Sequence, residues 1–195
     1  MKVYDISQEV FSCSVFPGDP APAKNIICRM DAGDVCNLSE FSMCSHNGTH
    51  VDAPLHFINN GKAIDEIGID AFVGYAYIAK YDGDVTGEIA QRILDRAHPL
   101  GAEDRILIAG KATVTEDAAL VFANAKIKLI GNESQTVGPE NAPKRVHDIL
   151  LGAEIVLLEG VRLDTVEEGK YLLSAAPLNL GGLEGAPCRA ILIKI

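Results

Sequence analysis

His46-Asn47-Gly48-Thr49-His50-Val51-Asp52-Ala53-Pro54-Leu55-His56 holds three of the five histidines of the chain within eleven residues, with an aspartate between them. Imidazole nitrogen and carboxylate oxygen are ligands for zinc, manganese or iron. In a strand the even-numbered residues His46, His50, Asp52 and His56 would share one face, because side chains alternate. A helix would bring His46 to His50 but turn Asp52 away, and Gly48 and Pro54 disfavour it. A straight strand would separate His46 from Asp52 by about 20 Å, too far for one ion with bonds of roughly 2 Å. The expectation is therefore a strand ending near His46, then a tight loop that curls around an ion. Gly48 permits the bend and Pro54 stiffens the exit.

Working outward, the chain has 195 residues, 48% hydrophobic and 23% charged. That suits one globular domain over residues 1–195, large enough to bury roughly 70% of its unfolded surface. The net charge of −10 argues against nucleic acid and anionic membrane as partners. No charge-free apolar run is long enough to span a bilayer, and the opening MKVYDISQEVF lacks the apolar region of a signal peptide. Five cysteines, an odd count without a CxxC pair, fit reduced thiols in the cytoplasm.

Apolar periodicity predicts three helices. One covers about Glu88–Ala97 with Thr86 as N-cap. A second covers about Glu116–Ala125, with Thr113 and Glu116 at capping-box spacing. The third covers about Ala142–Leu151, with Pro143 in its first turn and Gly152 as its stop. Strands are predicted at Val3–Ile6, Ile26–Met30, Phe72–Tyr81, Arg105–Ala109, Ile127–Ile130, Glu154–Leu158, Tyr171–Ala175 and Arg189–Ile195. Several are continuous β-branched runs, as in strands buried on both faces. Strands and helices alternate only in the second half, so the expected fold is a single mixed-sheet α/β domain, not a regular doubly wound one. Taken alone, His147 reads as a helix-boundary histidine. Glu159, after the apolar run Ile155–Leu158, reads either as an exposed turn residue or as a buried carboxylate that needs a partner.

The segment His46–Phe57 resembles the H-x-G-T-H-x-D-x-P-x-H signature of the cyclase family of metal-dependent hydrolases, which includes bacterial kynurenine formamidases and isatin hydrolases. Every fixed position is present. Phe16-Pro17-Gly18-Asp19-Pro20 is similar to the family's aromatic-PGDP stretch. Ala176-Pro177-Leu178 and Gly185-Ala186-Pro187-Cys188-Arg189-Ala190 are similar to its closing segment. The resemblance implies a swivelling β/β/α fold, a small-molecule substrate and a homodimer or homotetramer. It implies His46, His50, Asp52, His147 and Glu159 as metal ligands, for one or two zinc ions or for manganese, and His56 as the catalytic acid or base. Where relatives carry Gly-x-Asp-x-x-Ser this chain reads Gly131-Asn132-Glu133-Ser134-Gln135-Thr136. Glu133 and Thr136 keep the chemical type, which makes them candidates for contacting the substrate or orienting a ligand. No tryptophan is present, and Phe16 is the candidate aromatic in its place.

The resemblance implies hydrolysis of an amide or a cyclic acyl bond, a lactam or lactone, in a small molecule. A bound ion would lower the pKa of its water from about 15.7 to near 7 and polarise the carbonyl, while His56 moves the proton. Two alternatives accompany this expectation. One is an arylformamidase acting on N-formylkynurenine in tryptophan breakdown. The other is a metal-binding relative without catalysis, whose site would be closed.

Overall fold

The computed structural model describes residues 1–194. In chain order the strands of the first half are β1 (Lys2–Asp5), β2 (Ala23–Cys28), β3 (Leu38–Ser42), β4 (His50–Asp52), β5 (Val73–Lys80), β6 (Gly83–Val85), β7 (Arg105–Ala109) and β8 (Ala112–Val114). Those of the second half are β9 (Leu129–Asn132), β10 (Val156–Glu159), β11 (Gly169–Ser174), β12 (Gly185–Pro187) and β13 (Ile191–Lys194). The helices are α1 (Gly87–Ala97), α2 (Glu116–Ala125) and α3 (Lys144–Gly152).

Continuous apolar runs dictate the centre. β5, β7, β9 and β10 lie side by side and parallel, and their crossovers carry the three helices. Antiparallel strands extend this core on both sides, giving one large mixed sheet in the order β1-β13-β11-β5-β7-β9-β10-β4-β12. Alternation along β7 shows the double burial. Ile106 and Ile108 join the cluster under the helices with Phe122, Leu94 and Leu150. Leu107 and Ala109 join the cluster on the opposite face, under Phe72, Val161 and Leu163. Burying such side chains contributes roughly 1.5–3 kcal/mol apiece, so the centre of the sheet is the rigid frame to which the site is attached. This is the expected mixed α/β architecture.

Several boundaries differ from the sequence expectation, each for a local reason. The Glu154–Leu158 strand starts two residues late, because Glu154 adopts φ +60, a left-handed turn that cannot join a ladder. The N-cap of α2 is Thr115, not Thr113: Thr113 is taken up in β8, while the Thr115 hydroxyl donates to the Val85 carbonyl at 2.7 Å. The short strands β3, β4, β6, β8 and β12 were not predicted, since three to five residues are too few to show a period. The predicted C-terminal strand narrows to β13, and its last residue, Ile195, lies outside the described residues.

Candidate metal centre

The histidine segment does not end a strand at His46; it begins one at His50. Residues 43–49 turn on themselves: the Asn47 side chain accepts the Cys44 amide at 2.9 Å and Gly48 sits at φ +64. This left-handed position is one that glycine occupies without steric cost. The chain then enters β4, which is held on both sides. Glu159 of β10 pairs with His50, and Gly185 of β12 pairs with Asp52. His50 and Asp52, two apart, therefore present their side chains to one face. The turn folds His46 back over that face, which a straight strand could not do.

Two histidines are oriented by backbone carbonyls. His50 Nδ1 donates to Gly48 O at 3.0 Å, and His147 Nδ1, on α3, donates to Pro143 O at 2.9 Å. Each Nε2 is thereby turned toward the carboxylates, where it offers its lone pair to a metal once its proton has left, which is how metal-ligating histidines are commonly fixed. His50 Nε2 lies 3.3 Å from Asp52 Oδ1 and 3.5 Å from Glu159 Oε2. His147 Nε2 lies 3.4 Å from Glu159 Oε1 and 3.7 Å from Asp52 Oδ2. His46 Nδ1 lies 2.8 Å from Asp52 Oδ1. The donors form two groups, His46–His50–Asp52 and Asp52–His147–Glu159, with atoms within 4.8 Å of one another inside each group. Asp52 belongs to both.

The residues present fit a metal. His50, Asp52, His147 and Glu159 are buried, at 2% exposure or less, and Asp52 Oδ2 has no hydrogen-bond partner among the described residues. Two buried carboxylates within reach of three imidazoles are costly unless a cation compensates them. In the protein alone, protons take part of that role. Burial opposes the charged form of His50, but its hydrogen bonds to Asp52 and Glu159 overcome burial and raise its pKa to about 10. His46 and His147 are raised too, against burial, by Asp52 and Glu159 respectively. Burial likewise works against the charge of Asp52, yet His46 and His50 hold it well below the usual carboxylate range.

His56, on the short 3-10 turn Pro54–His56, stacks on His46 with ring centroids 4.0 Å apart. Burial, more than any neighbour, lowers its pKa, so it is neutral at pH 7 and free to accept a proton. Glu184 escaped the sequence reading. Its Oε1 accepts the Ser45 hydroxyl at 2.5 Å and lies 3.2 Å from His46 Nε2. The signal available was weak: a lone acid just ahead of Gly185-Ala186-Pro187.

The remaining candidates are not among these donors. Phe16 sits in the loop before β2, where its carbonyl accepts the Asp19 amide at 3.0 Å, outside both donor groups. Glu133 belongs to neither donor group; its carboxylate accepts the Gly110 amide at 2.8 Å, beyond the end of β7. Thr136 is buried one residue before Val137, whose amide donates to Glu159 Oε1 at 2.8 Å. Its place is behind the site, in the segment that holds Glu159. Cys188 is half-buried, and desolvation of its thiol pushes the pKa up to about 12, which leaves it unreactive.

Residues 4–139 match the model of the Cyclase family, "Putative cyclase", a span that includes the histidine segment but ends before His147. A kynurenine formamidase of Salinibacter ruber is 32% identical, over 98% of this chain and 97% of its own length. Among solved structures, a potential metal-dependent hydrolase with cyclase activity superposes with a TM-score of 0.80 at 28% identity, covering 98% of this chain and 96% of that one. Isatin hydrolase A from Labrenzia aggregata superposes with a TM-score of 0.83 at 22% identity, covering 100% and 94%, a likeness of fold. With its signature segment folded into a buried His/Asp/Glu cluster and its likeness to these proteins running nearly end to end, the chain belongs to the Cyclase family.

Proposed function

We propose that this protein is a metal-dependent hydrolase that cleaves a carbon–nitrogen acyl bond, an amide or lactam, in a small molecule. The observation that carries the proposal is the pair of donor groups joined through Asp52, in a chain related over its whole length to a kynurenine formamidase. His46, His50 and Asp52 would hold one ion, and Asp52, His147 and Glu159 a second. The nitrogen–oxygen donor set suits zinc, with manganese as the alternative. When bound, the metal supplies Lewis acidity and a water acidic enough to ionise near neutral pH.

The protein's own groups do the rest. Gly48 and Pro143 carbonyls fix which imidazole nitrogen faces the carboxylates. The Val137 amide holds one Glu159 oxygen in place. His56, neutral and stacked on the His46 ring, would take a proton from the attacking water and return it to the leaving nitrogen. The Phe57 ring, 4.6 Å from the His147 ring, covers one side of that imidazole with apolar surface, which lowers the local dielectric there.

A narrower reading, arylformamidase activity on N-formylkynurenine, is favoured by the named activity of the Salinibacter ruber relative. N-formylkynurenine and isatin should be offered side by side to zinc-loaded and manganese-loaded protein, with a His56→Gln variant as control. The proposal expects turnover of at least one, abolished by chelation, and a fall of about 10²–10⁴-fold in His56→Gln with metal content unchanged. Turnover of the formyl substrate alone selects the narrower reading. Metal binding with no hydrolysis of either, or of a panel of lactams and lactones, would leave a binding protein and refute the proposal.

A further inference from the structure

Neither Glu133 nor Thr136 belongs to a donor group, but the residue beside Thr136, Gln135, reaches the histidine turn. Residues 132–137 leave β9 and run past the end of β10, and their backbone holds that strand end. The Ser134 carbonyl accepts the Gly160 amide at 2.6 Å, the Asn132 carbonyl accepts the Val161 amide at 3.2 Å, and the Val137 amide donates to Glu159 Oε1 at 2.8 Å. The arch is braced from within: Asn132 Nδ2 donates to the Ala112 carbonyl at 3.0 Å and to the Thr136 carbonyl at 3.2 Å. From this arch Gln135 Nε2 donates to Gly48 O at 3.0 Å. The same oxygen accepts His50 Nδ1 at 3.0 Å. A carbonyl oxygen has two lone pairs, and here one orients the His50 ring while the other ties the carbonyl to the arch. Gly160 leaves the room for this contact, since a Cβ there would lie 2.2 Å from both Gln135 Nε2 and Gly48 O.

One arch therefore reaches a ligand in each donor group. It holds Glu159 through the Val137 amide, and His50 through Gln135 and the Gly48 carbonyl. The far end of the Gln135 amide separates this role from a contribution to stability. Its Oε1 is buried and has no hydrogen-bond partner among the described residues, and an acceptor left so costs folding free energy. An apolar side chain of the same length would remove that cost. It would also leave Gly48 O paired, because His50 Nδ1 still donates to it. The fold alone thus gains little from a glutamine here, whereas the His50 ring gains a fixed acceptor. Polar groups that hold a ligating imidazole through its other nitrogen act on metal affinity in this way.

We infer, on the reading of the cluster as a metal centre, that Gln135 is a positioning residue: it fixes the Gly48 carbonyl, keeps His50 Nε2 turned toward Asp52 and Glu159, and ties the two donor groups together. Gln135→Met keeps the reach of the side chain and removes the donor; Gln135→Leu is a second apolar variant. Three quantities are read on the intact protein. Zinc affinity comes from competition with a chromophoric chelator, stability from thermal unfolding in chelator, and the hold on the ring from solvent exchange of the His50 Nδ1 proton, followed by nuclear magnetic resonance without metal. Zinc affinity is expected to fall about 10–100-fold. The His50 proton should exchange about tenfold faster, as for the loss of one ordinary hydrogen bond. The His147 Nδ1 proton, held by the Pro143 carbonyl, should keep its rate, and Tm in chelator should equal or exceed that of the wild type. Wild-type affinity and exchange in a folded variant overturn the inference, and so does a fall in Tm with affinity unchanged, which would make Gln135 a structural residue. A wild type that binds no zinc refutes the metal reading instead; exchange of the His50 proton, measured without metal, then decides the positioning role on its own.

Discussion

Gly160→Ala isolates the link between backbone geometry and the metal site. Gly160 follows Glu159 at the end of β10, in a left-handed conformation with φ +69. A Cβ there would lie 2.2 Å from Gly48 O, 2.2 Å from Gln135 Nε2 and 2.6 Å from Gln8 Nε2. The two amide groups can swing away, but the Gly48 carbonyl belongs to the tight turn and moves only with it. That carbonyl accepts from both His50 Nδ1 and Gln135 Nε2, and Gly160 O accepts from Gln8 Nε2 and Thr49 Oγ1. The left-handed backbone costs about 1–2 kcal/mol for alanine, and two or three weakened hydrogen bonds cost about 1 kcal/mol each. The sum is about 3–5 kcal/mol, which for a chain of this size lowers Tm by roughly 10 °C. Releasing His50 from its carbonyl should also weaken metal binding about 10–100-fold. Thermal unfolding in chelator gives the first quantity and competition with a chromophoric chelator the second. A variant within 2 °C of wild type and with full metal affinity would refute the claim that Gly160 sets the position of the turn.

Asp52→Asn keeps volume but removes the charge shared by both donor groups. Structural zinc sites bind with about 10–16 kcal/mol over four ligands, so one carboxylate is worth about 3 kcal/mol, and chelator competition should show both ions weakened by at least 100-fold. A single ion lost and the other retained would contradict a shared ligand. Glu184→Gln should lower metal affinity about 10–100-fold without lowering Tm in chelator, since its contact is with the partly exposed His46 edge; a fall in Tm with unchanged affinity would make its role structural. In chelator, the stability held by protonated His50 is complete below its unfolded pKa of about 6.5 and is lost as pH rises through its folded value of about 10. Urea midpoints of metal-free protein should therefore fall between pH 6.5 and 10, whereas metal affinity, which requires that proton to leave, rises over the same interval. Midpoints that climb with pH would show that the histidines do not carry the proton.

Much of this was legible in the chain itself because the motif is local. His46, His50 and Asp52 announce themselves by clustering, and the uninterrupted runs at 105–109 and 155–158 could only be buried strands. His147 and Glu159 were not separable from ordinary helix and turn residues by local pattern. Their meaning depends on β10 pairing with β4, a contact between residues more than a hundred positions apart. Family resemblance supplied them, and the geometry then placed them. The strand expected to end at His46 failed because period alone cannot see that β4 is held by β10 and β12. The surroundings of Glu133 were hidden for a similar reason: nothing in the sequence says that the Gly110 amide donates to its carboxylate. Glu184 was invisible until β12 paired with β4 and brought it beside His46.

The central claim is that His46, His50, Asp52, His147 and Glu159 form one metal centre that hydrolysis depends on. The most direct measurement is metal content by plasma mass spectrometry of purified protein and of His147→Ala, each metal-stripped and reconstituted with zinc or manganese, read beside hydrolytic activity. The account predicts close to two ions per wild-type chain, loss of at least one in the variant, and activity that returns with metal only in the wild type. A wild-type chain that binds no ion after reconstitution, or that hydrolyses its substrate fully in chelator, would contradict it.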